Sequence, residues 1–224
     1  MTQLGKIFDT ARRLGPKGLL THLARRALTT VPGGKAFRLF LVVLDTPRPA
    51  TGAAQAAKDH TFRFATLEDL ERLQKDPEAR LHERDIRSFR NGSRCLLQLD
   101  GADLVGYTWI SSSPLIDLHW GLHFNMPDDM IYNFNGYTVP KYRGIAYQGL
   151  RHLKVLEYTR GEGKHRLLGY VDHTNYKSLH GVKKSGYRHV GVVRGTSRKG
   201  RMHFSIAVDE RCWALLARSG PIQS

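Results

Sequence analysis

The sequence has few of the features that anchor or cross-link a protein. Its two cysteines, Cys95 and Cys212, are too few and too far apart for a disulfide scaffold or a zinc ribbon. Its longest uninterrupted apolar run, Leu39–Leu44, is far shorter than the roughly 20 residues needed to cross a bilayer. Met1 is followed by a mixed amphipathic segment, which predicts no cleavable signal peptide. We therefore expect a reducing, cytoplasmic setting and no structural metal.

Acidic residues are also scarce. The 224 residues contain 35 Lys and Arg against 20 Asp and Glu, a formal net charge of +15. The excess lies in residues 1–59, with ten basic and three acidic side chains, and in residues 140–202, with fifteen and three. Such a field could attract nucleic acid, an anionic membrane, a polyphosphate cofactor or an acidic carrier protein. Charge alone does not choose among them.

The first 59 residues are predicted to lie outside the main domain. Apolar residues at helical spacing predict a basic amphipathic helical appendage over residues 1–45, with helices at 3–14 and 17–30. These helices could lie on an anionic membrane through residues 1–30 or pack on their own domain. Residues 46–59, rich in Pro, Ala and Gly, are predicted to be a linker.

Residues 60–210 are predicted to form one mixed α/β domain, followed by a tail over residues 211–224. Thr66 with Asp69 predicts a helix N-cap, and Asp100-Gly101 predicts a tight hairpin turn. Residues 111–129, which include His119 and His123, are predicted to be a long loop over a pocket. The predicted strands are 62–64, 93–99, 103–111, 130–139, 167–171, 187–193 and 202–208, and the predicted helices are 67–70, 79–90, 145–161 and 175–185.

The segment YTVPKYRGIAYQGL, residues 137–150, predicts a phosphate-binding turn. It places a strand, a turn and a helix in succession, so unpaired backbone N–H groups and the helix dipole would face one point. Gly144 allows close approach to the backbone, and Arg143 and Lys141 supply charge. When the fragment is taken alone, an ordinary strand-to-helix connection with a solvated basic pair is the better explanation.

A second block, VDHTNYKSLHGVKKSGYRHVG, supports the phosphate interpretation. Asn175 and Ser178, followed by Lys184-Ser185-Gly186-Tyr187, resemble the N-x-x-S…K-x-G-Y signature of the GNAT superfamily of N-acetyltransferases. The resemblance covers about residues 60–208. It implies a central, mostly antiparallel sheet with one parallel, splayed strand pair, flanked by helices. It also implies acetyl-CoA, or another acyl-CoA, as co-substrate and no metal.

The resemblance also implies roles for particular residues. Backbone N–H groups of Thr138 and Val139 would bind the acyl carbonyl, and Asn175 and Ser178 would lie beside the pantetheine arm. The residues that would hold the pyrophosphate are Arg143, Gly144, Ile145, Ala146, Tyr147 and Gln148.

The proton-transfer groups are less well defined. The position at which the family often carries an acidic tyrosine is Val182, so His173 and Tyr176 are the nearest polar candidates. Tyr132, Asn133 and Asn135, on the predicted strand 130–139, could hold a water that accepts the proton of the amine.

Three functions follow as hypotheses. The first is an N-acetyltransferase acting on a small amine, and removal of residues 1–45 should then leave coenzyme A binding intact. The second uses acyl carrier protein as donor, because the basic segment 140–202 suits an acidic partner. The third is a non-catalytic or nucleic-acid-binding module, for which the aromatic spacing is poor. A looser resemblance of Tyr132 to Gly144 to acetyltransferases of bacterial surface-polysaccharide assembly suggests an amino-sugar or envelope precursor, and peripheral association with the inner membrane face.

Overall fold

The structure is a computed structural model that describes residues 36–45, 47–48, 51–113, 115–119, 122–198 and 201–208. Within these residues the strands are β1 (Ala36–Leu44), β2 (His60–Phe64), β3 (Arg94–Asp100), β4 (Asp103–Ser111), β5 (Leu115–His119), β6 (Leu122–Asn125), β7 (Met130–Thr138), β8 (Arg166–Asp172), β9 (Arg188–Arg198) and β10 (Arg201–Val208). The α-helices are α1 (Thr51–Ala56), α2 (Leu67–Gln74), α3 (Glu83–Arg90), α4 (Tyr147–Thr159) and α5 (Tyr176–Lys184). Short 3-10 turns lie at Pro77–Ala79, Pro140–Tyr142 and Arg160–Glu162.

Eight of the strands in the described part of the chain form one sheet, in the order β10-β9-β1-β8-β7-β4-β3-β2. Every neighbouring pair described is antiparallel except β7 and β8, which pair in parallel over Met130–Tyr132 and Arg166–Leu168. The helix α4 supplies the crossover that a parallel pair requires. The predicted fold class, a mostly antiparallel sheet with one parallel pair, is confirmed.

Two local signals produce the structure expected of them. The Thr66 hydroxyl accepts a hydrogen bond from the Asp69 amide, and the Asp69 carboxylate accepts one from the Thr66 amide, which starts α2. Asp69 also accepts a hydrogen bond from Arg63 at 2.7 Å, which fastens β2 to α2. Gly101, with φ of 57°, takes the left-handed position in the turn that joins β3 to β4.

The prediction that residues 1–45 form a helical appendage is wrong for its last part. Residues 36–44 form the strand β1, which pairs with β8 on one side and with β9 on the other. The apolar run Leu39–Leu44 is buried on both faces of the sheet, apart from the partly exposed Phe40. A short continuous apolar run is the pattern of such a strand. The predicted helices at 3–14 and 17–30, and the tail at 211–224, lie outside the described residues.

Two predicted irregular segments contain regular structure. The predicted linker 46–59 includes the helix α1, and Ala53 of this helix and Ala57 just after it are buried with Tyr147 and Leu150 of α4. The predicted loop 111–129 contains the antiparallel hairpin β5–β6, with His119 on β5 and His123 on β6. Both segments are short and lack a strong period, and packing or pairing with a neighbour supplies the missing stability.

The helices cover both faces of the sheet. Apolar residues of α4 and α5 pack on one face, with Ile131, Val155 and Val182 in the shared core. The helices α2 and α3 cover the other face around Trp109. Among the helices described, none is long and apolar enough to span a membrane. Nor does the described part contain a group of three His, Cys, Asp or Glu side chains able to hold a metal ion.

Candidate active site

The turn after β7 leaves the start of α4 without a side-chain cap. Gly144 and Ala146 both lie in the left-handed region, with φ of 96° and 61°, and Ala146 occupies the N-cap position. Alanine has no oxygen with which to cap a helix. The amides of Tyr147 and Gln148 precede the first intrahelical hydrogen bond, which runs from the Gly149 amide to the Ala146 carbonyl. Such amides bind anions well.

The two basic residues of the turn point to different partners. The Arg143 Nε donates to the Thr138 carbonyl at 2.9 Å, and its guanidinium lies 5.7 Å from the centre of the Tyr137 ring. Lys141 donates to Asp103 at 2.8 Å, and this hydrogen bond raises the pKa of Lys141. Arg143 is therefore the basic side chain that lies against the end of β7.

Beside this turn, β7 has an open edge. Its pairing with β8 ends at Tyr132 opposite Leu168, so the two strands separate from Asn133 onward. The Val139 amide donates to the Val105 carbonyl of β4, at 3.0 Å. Hydrogen-bonded and non-bonded pairs alternate in an antiparallel ladder, so Thr138 opposite Gly106 is a non-bonded pair. The Thr138 N–H therefore points away from β4, toward the gap between β7 and β8.

This geometry separates the two backbone donors that the sequence predicted. The N–H of Thr138 faces the gap, as the hypothesis requires. The N–H of Val139 does not, because it donates within the sheet. The prediction that Val139 contributes a donor to an acyl carbonyl is therefore wrong.

Two of the three candidates on β7, Tyr132 and Asn135, contact other parts of the protein. Tyr132 is buried, and its ring stacks on those of Phe134 at 5.2 Å and Tyr170 at 6.3 Å between centres. Asn135 has a φ of 44° at a bulge in β7, and its Nδ2 donates to Asp85 of α3 at 2.8 Å. Tyr132 thus belongs to a ring stack, while Asn135 joins the bulge to α3.

The candidates after β8 lie at the same edge of the sheet as the turn, because β7 and β8 are parallel. The His173 amide donates to the Arg38 carbonyl of β1 at 3.0 Å, and its Nδ1 lies 3.2 Å from the same oxygen. The Asn175 Oδ1 accepts from the Ser178 amide at 3.2 Å and caps α5. Tyr176, which follows Asn175, is 43% exposed. The structure therefore gathers the predicted donor-binding segments 143–148 and 173–178 at one edge.

Asn133, the third candidate on β7, lies in a polar cluster at the point where β7 and β8 separate, and the sequence predicted none of its partners. The Asn133 Nδ2 lies 2.9 Å from His152 Nε2 and 3.2 Å from the Tyr187 hydroxyl, which lies 3.1 Å from His152 Nδ1. The Thr108 hydroxyl donates to Asn133 Oδ1 at 2.7 Å. Since the Asn133 amide donates to Nε2, the proton of neutral His152 sits on Nδ1 and is donated to Tyr187. The cluster ties β4, β7, α4 and the start of β9 together.

The helix α4 turns a different face to the core than its sequence suggested. Apolar residues recur at Ala146, Leu150, Leu153 and Leu156, a spacing that predicts Arg151 on the polar side of the helix. In the structure Arg151 and His152 are both buried. Because α4 is the crossover between two buried strands, it packs on the sheet with a wide face. Periodicity alone therefore misplaced the boundary between the buried and the exposed side of the helix. Val182, which stands where the family that the sequence resembles often carries an acidic tyrosine, is buried in the core.

Burial governs the titration of this region. It lowers the pKa of His152 to about 3, with a smaller contribution from the charge on Arg151, and it raises the pKa of Tyr187. It also lowers the pKa of Arg151 to about 9, so Arg151 remains charged at neutral pH.

We expect acid to destabilise the protein through His152. Its folded-state pKa lies below the ordinary value of 6.5, so below pH 6.5 the unfolded chain binds the proton that the folded protein excludes. Stability should therefore fall by about 2 kcal/mol from pH 7 to pH 5 on account of this group. His152→Gln should flatten this slope, measured by urea denaturation at each pH.

Two other groups allow the assignment to be checked. The half-exposed His189 has a pKa lowered by burial, so His189→Gln should remove only a small part of the slope. Arg63 lowers the pKa of Asp69, and that contribution is lost only as pH falls below about 4. An unchanged slope in His152→Gln would show that this histidine is not buried in the neutral form.

No model of a protein family matches this chain, and no curated protein matches it. Among solved structures, a Drosophila protein is 16% identical over 82% of this chain and 58% of its own, with a TM-score of 0.46. A protein of Novosphingobium aromaticivorans, which its name places in the GNAT family of acetyltransferases, is 11% identical over 80% and 69%, with a TM-score of 0.48. A Salmonella typhimurium protein, named for acetyltransferase activity and solved with acetyl-CoA, is 16% identical over 68% and 95%, with a TM-score of 0.45. The chain thus spans less than two thirds of the Drosophila protein.

Proposed function

We propose that this protein is an N-acetyltransferase that moves an acetyl group from acetyl-CoA to the amine of a small acceptor. The observation that carries the proposal is the pairing of two features at one sheet edge. The uncapped start of α4 offers amides to a pyrophosphate, and the open edge of β7 beside it offers the Thr138 N–H to a carbonyl.

The two features suit the two ends of the donor. The pyrophosphate carries negative charge, which the amides of Tyr147 and Gln148, the dipole of α4 and Arg143 stabilise together. The thioester carbonyl is neutral and its oxygen gains negative charge as the amine attacks, and a backbone N–H that faces this oxygen stabilises that charge. The pantetheine arm would run between the separated strands, past Asn175.

The proton steps need less from the protein. A thiolate leaves readily, because thiols have an ordinary pKa of about 8.5, so the apolar Val182 is compatible with transfer. A neutral acceptor amine can lose its proton to a water. Asn135 and Tyr176, which are the exposed ones among the predicted candidates, are the residues we propose to contact the acceptor or that water.

Finer points remain proposals of the same kind. The acceptor is an amino-sugar or a similar envelope precursor, and residues 1–30 associate with an anionic membrane at the cytoplasmic face. Both rest on the basic N-terminal sequence and on the segment from Tyr132 to Gly144.

We expect acetyl-CoA to bind the purified protein in the micromolar range or tighter, with one site per chain. Calorimetric titration with acetyl-CoA, with an acylated acyl carrier protein and with duplex DNA separates the three hypotheses. Thiol release with a panel of small amines then tests transfer. Binding of the carrier protein without binding of acetyl-CoA would favour the carrier as donor, and binding of DNA alone would overturn the enzyme proposal.

A further inference from the structure

Arg151 is a buried cation whose hydrogen-bond partners, among the described residues, do not include a carboxylate. Its side chain is fully buried between α4 and the strands β3, β4 and β7. Nη1 donates to Gln98 Oε1 at 2.8 Å, and Nη2 donates to the Tyr137 carbonyl at 2.9 Å and to Thr138 Oγ1 at 2.6 Å. Burying a charge without a counter-charge is costly, so packing alone does not account for an arginine here.

The Tyr137 carbonyl belongs to the peptide whose N–H is that of Thr138. In a trans peptide the C=O and the N–H point in opposite directions, so a guanidinium on the carbonyl leaves the N–H facing away from it. The Thr138 carbonyl points to the same open edge as its N–H, where it accepts from Arg143 at 2.9 Å. Arg151 therefore binds the carbonyl oxygen of a peptide whose N–H faces the proposed donor site.

The surroundings hold this peptide and the arginine in contact. A Cβ at Gly106 would lie 2.3 Å from the Tyr137 oxygen and 2.8 Å from Arg151 Nη1. A side chain at position 106 would thus push the guanidinium and the carbonyl aside. Gly106 leaves room for Arg151 to reach the Tyr137 carbonyl from the face of the sheet that α4 covers.

A charged donor on a peptide oxygen draws electron density toward that oxygen. The N–H of the same peptide becomes more positive and a stronger donor, and the effect is larger where the dielectric is low. This polarisation costs no movement when a substrate arrives, because the arginine is already in place.

We infer that Arg151 is a positioning residue that orients and polarises the Tyr137–Thr138 peptide, so that the Thr138 N–H binds the acyl carbonyl of the donor. The inference rests on the proposed function and goes beyond it, since it gives Arg151, which contacts neither the donor nor the acceptor, a part in recognition of the carbonyl through this peptide. It also predicts that the protein distinguishes acetyl-CoA from free coenzyme A through this peptide.

The test compares the affinities for acetyl-CoA and for coenzyme A, which differ only in the acetyl group. The parent should bind acetyl-CoA about three- to tenfold more tightly, the effect of one added hydrogen bond. Arg151→Met should bring this ratio to about one, with the affinity for coenzyme A changed less than about threefold. Arg151→Lys, which keeps the cation, should give an intermediate ratio. Both affinities are measured by calorimetry.

Gln98→Met is the matched control. It removes a buried hydrogen bond to the same guanidinium but leaves the contact with Tyr137, so it should lower the Tm and keep the parent ratio. A ratio lost equally in Gln98→Met and in Arg151→Met would reduce Arg151 to a structural role and overturn the inference.

If Arg151→Met does not fold, a second measurement, made on Arg151→Lys, tests the inference. In the ¹⁵N spectrum of the ligand-free protein, the Thr138 amide proton should move upfield in Arg151→Lys relative to the parent, because the peptide is less polarised. An unmoved resonance overturns the inference. A parent that binds neither acetyl-CoA nor coenzyme A overturns the proposed function with it, whereas a parent that prefers acetyl-CoA, with the same ratio in both Arg151 variants, overturns the inference alone.

Discussion

A protein lacking residues 1–45 is expected to lose its fold, not to survive as an independent domain that still binds coenzyme A. The deletion removes β1 from between β8 and β9, so both of these strands lose a full ladder of hydrogen bonds. It also removes the buried side chains Leu39, Leu41, Val42, Val43 and Leu44 from the core. At about 1.5–3 kcal/mol for each side chain, this loss is about as large as the whole stability of a typical domain, about 5–15 kcal/mol.

The measurement is thermal unfolding followed by circular dichroism, together with acetyl-CoA titration. A deletion of residues 1–35 is the matched control, because it keeps β1, and it should retain a cooperative transition. If the protein without residues 1–45 unfolds at the same temperature as this control, β1 is dispensable, and the domain boundary that the sequence predicts at residues 46–59 is correct.

The sequence was most informative where a local signal decides the structure. The Thr66–Asp69 capping box, the Asp100-Gly101 turn and the strand–turn–helix around Gly144 each depend on residues a few positions apart. The predicted helix 145–161 lies between the predicted buried strands 130–139 and 167–171, and this order also predicts the parallel pairing of β7 with β8, because parallel strands need a crossover of that length.

Features that depend on distant residues were not predictable in the same way. The run Leu39–Leu44 has the composition of a buried strand, but nothing near it indicates that its partners are β8 and β9. The burial of Arg151 is decided by carbonyl and amide oxygens on β7 and β3, far from it in the sequence. Polar residues on a helix predict exposure on average, and tertiary hydrogen bonds reversed that expectation here.

The candidate site also contains some features that depend on local residues and others that depend on distant ones. The open start of α4 follows from a local motif, and the role of the Thr138 N–H follows from the resemblance in the sequence. The side-chain roles in the site do not, because Asn135 bonds to Asp85 of α3 and His152 contacts Asn133 and Tyr187. Backbone recognition of the donor is therefore the part of the mechanism that a sequence states most directly.

Substitution of Gly144 is a poor test of that recognition. A Cβ there meets no protein atom within 4 Å, but the φ of 96° strains any other residue. A valine would then weaken binding through the backbone whether or not a phosphate lies nearby. The test has to remove one N–H and leave the turn as it is.

Gln148→Pro is expected to weaken coenzyme A binding about ten- to a hundredfold, the effect of losing one hydrogen bond to a charged group. Gln148 is the second residue of α4, so its N–H has no acceptor within the helix, and proline is tolerated in the first turn. Gln148→Ala removes the same side chain but keeps the N–H, so it should lose much less affinity. Both affinities are measured by calorimetry after circular dichroism shows equal helix content. Both variants lose the Gln148 side chain, and Gln148→Pro also loses the backbone N–H at this position. Equal losses of affinity in the two variants would therefore place the pyrophosphate elsewhere.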